Sequence, residues 1–125
     1  METAVRVEDR HAHEIAMKTN IAEVVQYLQE VFGQKLTAFI AGASDAKTVG
    51  RWARGDNTPR TETEMRLRTA FQVFHLLQSH ESAETIRAWF IGVNPHLDDD
   101  SPAEALSEDR FPQVIAAART FIDGG

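Results

Sequence analysis

The chain of 125 residues contains no cysteine, which excludes disulfides, thiolate metal sites and cysteine nucleophiles. It has one tyrosine and four prolines, and no apolar run approaches the roughly 18 residues that a membrane-spanning helix requires. No segment alternates polar and apolar residues as a half-buried strand does, and no internal repeat or glycine-rich phosphate loop is present. The N-terminus, METAVRVEDRHAHE, lacks the apolar stretch of a secretory leader. A cytoplasmic protein that does not enter a membrane is expected. The histidines do not converge: His11 and His13 sit near the N-terminus, His75 and His80 are five residues apart on one helix, and His96 falls in a turn. No metal site, cofactor or catalytic Ser-His-Asp order follows, so no enzyme is expected.

What is present is an ordinary globular composition, 42% hydrophobic and 26% charged, enough for one compact domain or two small helical units sharing a core. The net charge of −6 is unevenly placed. Residues 1–68 carry ten Lys/Arg against ten Asp/Glu, residues 69–125 three against nine, and the stretch 35–68 alone seven against four. A basic patch in the N-terminal half and an acidic C-terminal half suit two different partners.

Residues 1–18 lack a sustained apolar period and are expected to form a flexible arm, helical at most near its end. From Asn20 onward Ile21, Val24, Val25, Leu28 and Phe32 repeat at helical spacing, with Gly33 as the stop. A short helix follows to Ala41, and Gly42 ends it; Ser44 is the expected N-cap of the next, which Gly55 closes. Thr61-Glu62-Thr63-Glu64 has the form of a capping box and opens a long helix to about Ser79, apolar around most of its girth. Ser82 and Ser101-Pro102 start two more, and a last one spans about Pro112 to Ile122. The expected fold is all-α with about seven helices. A helix-turn-helix bundle (19–80) is joined by the long helix to a small C-terminal helical domain (81–125).

The stretch LTAFIAGASDAKTVGRWARGDNTP, Leu36 to Pro59, carries the strongest functional signal. Ala46, Val49, Trp52 and Ala53 fall on one side of its second helix. Lys47, Arg51 and Arg54 fall within roughly 60° of one another on the other. A helix held from behind by an indole, with cations in front, has what a helix reading the major groove of double-stranded DNA needs. Lys47, Thr48 and Arg51 are the candidates for base edges, and Ser44, Arg54, Asn57 and Arg60 for phosphates. The plainer reading gives Arg54 and Arg60 surface ion pairs with Asp56 or Glu62.

These residues resemble a known family. The N-terminal half is similar to an Xre-type helix-turn-helix. Residues from about Ile86, carrying Trp89-Phe90, Asn94-Pro95, Leu97, Ser101-Pro102-Ala103-Glu104-Ala105-Leu106 and Val114-Ile115-Ala116-Ala117-Ala118, resemble the toxin-binding domain of Xre/MbcA/ParS antitoxins. The resemblance implies an antitoxin that represses its own operator and neutralises a RES-domain toxin, an NAD⁺-degrading enzyme. It further implies that Trp89, Phe90, Asn94, Pro95 and Leu97 serve the toxin-binding surface. Arg119, Phe121, Gly124 and Gly125, at the end of the chain, are then candidates for covering the toxin's active-site entrance. Two places differ from the family pattern: Leu97-Asp98-Asp99-Asp100 stands where relatives have a glycine-rich turn, and the turn at Gly42-Ala43-Ser44 is a residue tighter. A homodimer is expected, because one small helix-turn-helix makes too few contacts for tight specific binding. The alternatives are a stand-alone transcriptional regulator whose C-terminal domain dimerises, and a protein-interaction module without DNA affinity.

Overall fold

The computed structural model describes residues 2–124, with side chains from Val7 onward. Among the described residues the fold is all-helical: α1 (Glu2–Lys18), α2 (Ile21–Phe32), α3 (Gln34–Ala41), α4 (Ala46–Ala53), α5 (Thr61–Gln78), α6 (Ala83–Ile91), a 3-10 turn (Pro95–Leu97), α7 (Pro102–Ser107) and α8 (Phe111–Ile122). The helices expected from periodicity are all there. The eighth is α1, where the sequence reading expects a flexible arm.

That difference has a physical cause. Helix α1 docks through small residues, with Ala12 and Ala16 buried and Ile15 packed beside them, so it offers little hydrophobicity to a periodicity argument while allowing close approach to α5. Polar contacts hold it as well. Arg68 of α5 donates to the carbonyls of Ala16 and Thr19 at 2.6 and 2.7 Å, satisfying orphan acceptors at the C-terminal end of α1. Glu8 meets His80 at 3.0 Å, and Asp9 pairs with Arg119 of α8.

Two caps also differ from expectation. Asp45, not Ser44, is the N-cap of α4, its carboxylate accepting from the Lys47 amide at 2.9 Å; a carboxylate at this end also suits the helix dipole. Helix α5 begins at Thr61, so Arg60 takes the N-cap position, and a guanidinium has no acceptor with which to cap it; Glu64 instead pairs with Arg68 one turn further on, at 2.7 Å. Elsewhere the caps follow the sequence: Asn20 accepts from Ala22, and Ser101 with Glu104 forms a complete capping box.

Helix α5 is the spine. Leu67, Ala70, Phe71, Val73, Phe74, Leu76 and Leu77 are buried on it, and it packs against α1, α2, α3, α6, α7 and α8. The apolar residues of both halves form a single cluster. At its centre Phe32 of α2 meets Phe74 of α5 at 5.5 Å and Phe90 of α6 at 4.7 Å, both edge-on, a favoured aromatic geometry. The half-buried His75 stacks on Tyr27 at 5.2 Å and meets Phe71 edge-on. This burial, and to a lesser degree the charge of His11, holds its imidazole below the usual pKa.

Candidate nucleic-acid and partner surfaces

Helix α4 is eight residues long and is fixed from three sides. Val49, Gly50, Trp52 and Ala53 face the core. Gln26 of α2 donates to the Ala53 carbonyl at 2.7 Å and so closes the C-terminal end. Asp45 closes the N-terminal end. The turn before it depends on Gly42, whose φ of 78° is left-handed, a conformation that costs other residues energy. The amide of Ala43 then reaches back to the Ala38 carbonyl at 2.9 Å, closing the end of α3 as a glycine-terminated helix end does.

The result is a rigid helix with its polar side outward. Lys47, Arg51 and Arg54 are exposed, as are Ser44, Asn57 and Arg60, while Thr48 is half-buried. Trp52 is 8% exposed and belongs to the core. Ser44, Thr48 and Arg60 line one groove of about 560 Å³ between the α3–α4 turn and the start of α5, together with Trp52 and Arg66. Arg54 lies against Asp56 at 3.0 Å, both side chains more than half exposed. Among the described residues Lys47, Arg51 and Arg60 make no ion pair. The basic count of this half is partly consumed by the fold, since Arg66 and Arg68 are turned inward to structural partners.

The C-terminal surface is built differently. Phe90, Asn94 and Leu97 are 0%, 7% and 2% exposed, so these three motif residues shape the surface from beneath. Asn94 organises the turn after α6: its side chain accepts from the His96 amide at 2.9 Å, and its carbonyl accepts from Leu97 and Asp99. Asp98 and Asp99 adopt left-handed φ values of 56° and 67°, a region that Asp tolerates better than most residues. Trp89 is half-buried, edge-on to Phe90 at 5.2 Å and tilted against Phe121 at 6.1 Å. Pro95, Arg119 and Gly124 are exposed, and Phe121 is half-buried. Gly125 lies outside the described residues.

One residue of consequence carried no sequence signal. Arg66, on α5, donates to the Ala41 carbonyl at 2.9 Å and forks onto both oxygens of Asp109 at 2.8 and 3.3 Å. The hydrogen bond from Arg66 holds the Asp109 carboxyl below its ordinary pKa and raises that of the guanidinium. Their separation of 43 residues puts such a pair beyond periodicity arguments. Among the described residues no group of three acidic or histidine side chains is placed to hold a metal ion, and no helix is long and apolar enough to cross a membrane.

Among the described residues, one helical core, a cationic helix locked at both ends and an acidic C-terminal half define a small all-α protein with two surfaces of unlike charge. The chain is similar to the probable mycobacterial cidal antitoxin of Mycobacterium tuberculosis, with 32% identity over 105 residues, covering 82% of this chain and 88% of that protein. It belongs to the family of that antitoxin. No family model matches the chain, and no solved structure matches it.

Proposed function

We propose that the protein is the antitoxin of a type II toxin–antitoxin pair of the Xre/MbcA/ParS kind. In this reading it binds its own operator as a homodimer through the α3–turn–α4 unit and neutralises a RES-domain, NAD⁺-degrading toxin through the C-terminal half. The antitoxin relationship over most of the chain supports the toxin–antitoxin role. The observation that carries DNA binding is the outward row of Lys47, Arg51 and Arg54 on a helix anchored by buried Trp52. Such a helix can enter a major groove with arginine free to pair with guanine, while Ser44, Asn57 and Arg60 flank it for phosphates. Trp89, Phe121, Arg119 and the residues to Gly125 form the toxin-facing end.

The test has two arms. Electrophoretic shift of the upstream promoter at moderate salt should show a specific complex; no shift beyond that of random duplex removes the operator-binding half. Co-expression with the product of the adjacent reading frame should rescue growth, and truncation before Arg119 should abolish rescue while leaving the shift intact. Rescue by the truncated chain removes the blocking-end assignment. The inward orientation of Phe90, Asn94 and Leu97 favours one second reading, in which the C-terminal half is purely architectural and dimerises a stand-alone regulator. Failure to co-purify with the neighbouring product, with the promoter shift retained, would select it.

A further inference from the structure

We infer that Arg66 and Asp109 form a positioning clamp through which the C-terminal half fixes the turn that presents α4 to DNA. The functional consequence rests on the operator-binding reading; the clamp itself does not.

Three elements meet at one guanidinium. Arg66 leaves the spine helix α5, is one-fifth exposed, and uses separate nitrogens for separate partners. Its Nη1 reaches the Ala41 carbonyl, the last of α3, while Nε and Nη2 take the two oxygens of Asp109 in the corner between α7 and α8. A planar fork of this kind holds its partners in one geometry, which lysine cannot reproduce. Gly42, the residue after Ala41, is shaped to it: a Cβ there would stand 2.7 Å from Nη1, so any larger residue would push the guanidinium off the turn. Asp109 is itself left-handed at φ 64°, the kind of sparsely populated conformation that persists where surrounding contacts hold it.

The Ala41 carbonyl opens onto the turn Gly42–Asp45 that aims α4, and Arg66 lines the same groove as Ser44, Thr48 and Arg60. Arg66 therefore serves DNA binding without being free for DNA. Its charge is already spent on Asp109, and its role is to hold the turn.

The test is Asp109→Asn, which removes the charge and keeps a residue at ease in the left-handed region, together with Arg66→Lys. Native-state hydrogen exchange on the full chain should show the Gly42 and Ala43 amides exchanging about tenfold faster in both variants, with amides such as that of Leu28 in α2 unchanged. Operator affinity should fall about tenfold, with the salt dependence of binding unaltered because no phosphate contact is lost. Unchanged exchange at the turn overturns the clamp. Faster exchange with wild-type operator affinity overturns its positioning role. Tighter binding by Asp109→Asn with a salt slope steeper by about one would mean that Arg66 is a phosphate contact screened by Asp109, and would overturn it too. Should the wild-type protein bind no operator, the operator-binding reading fails and the exchange arm still decides the clamp.

Discussion

Helix α4, the proposed operator-facing element, and the C-terminal end differ in how their proposed functional residues relate to the fold. On α4 and its flanks, six of seven such side chains are exposed and the seventh, Thr48, is half-buried. At the C-terminal end Phe90, Asn94 and Leu97 point inward, and Trp89 and Phe121 are shared between core and surface. The first surface can be altered with little cost to folding. In the second, the proposed recognition residues also hold the fold, so loss of a partner there is informative only beside a measured stability.

The largest expected effect separates neighbours in sequence. Phe90→Ala removes a fully buried ring at the junction of α2, α5 and α6 and should cost about 3–5 kcal/mol. Denaturant unfolding followed by far-ultraviolet dichroism should remain one transition at a lower midpoint, because both halves share that ring. A first transition confined to the C-terminal helices would break the single-core picture. Trp89→Ala should cost less than Phe90→Ala while abolishing co-purification with the toxin, since its exposed edge is the part a partner can touch. Retained co-purification would move the toxin surface elsewhere.

On the other surface the expected pattern is reversed. Arg51→Ala should leave unfolding within about 0.5 kcal/mol of wild type, as exposed substitutions usually do, and should cost about 1–3 kcal/mol of operator affinity, concentrated at one base position. Binding measured across single-base operator variants checks both. A uniform loss at all positions would make Arg51 a phosphate contact, and no loss would remove it from the interface.

This contrast also explains what was legible in the sequence. On α4 one helix holds most of the proposed base-reading residues, so the 100° rotation per residue separates Trp52 and Val49 from Lys47, Arg51 and Arg54 in the sequence alone. At the C-terminal end the motif runs from the last turn of α6 through Gly92 into a 3-10 turn, and that break removes any angular register common to its residues. Asn94 could be read as a surface group only because its hydrogen bonds to the His96 amide and the 97–99 backbone are invisible in a list of letters. Helix α1 was hidden by its alanines, the Ser44 cap gave way to the Asp45 carboxylate, and α5 takes in Thr61 as its first residue, which leaves Arg60 at the N-cap. Arg66–Asp109 was out of reach for a different reason: long-range ion pairs leave no periodic trace.

Acid should probe the α5 core and the Arg66–Asp109 pair in different windows. Burial lowers the pKa of His75, so the unfolded chain binds a proton at higher pH than the folded one. Stability from this group is therefore lost as pH falls through the ordinary histidine range and below it. His75→Phe should flatten the decline in melting temperature between about pH 7.5 and 5.5. The Asp109 carboxyl is also held low, by Arg66, but its contribution is full above the ordinary carboxylate range and is lost only at more acidic pH. Loss of protection at Gly42 and Ala43, measured against the intrinsic exchange rate at each pH, should thus begin in that lower window. Onset in the histidine window would tie the turn to α1 and α5 rather than to α7 and α8.

The smallest expected effect compares two paired arginines, one on each surface. Arg54 meets Asp56 two residues away, with both side chains largely in water, an arrangement worth little to stability. Arg54→Ala should leave the melting temperature unchanged and lower the salt slope of operator binding by about one if the side chain also reaches a phosphate. Arg119 is half exposed, but its partner Asp9 is only 15% exposed and lies on α1. Arg119→Ala leaves that carboxylate without its cation in a partly desolvated place, and the penalty for an unpaired charge rises with burial. Its melting temperature should therefore fall where that of Arg54→Ala does not, with exchange in α1 accelerated first. Equal melting temperatures would mean that the apolar face of α1 with the Arg68 and His80 contacts suffices to hold it, and that Arg119 is free to serve the toxin-facing end.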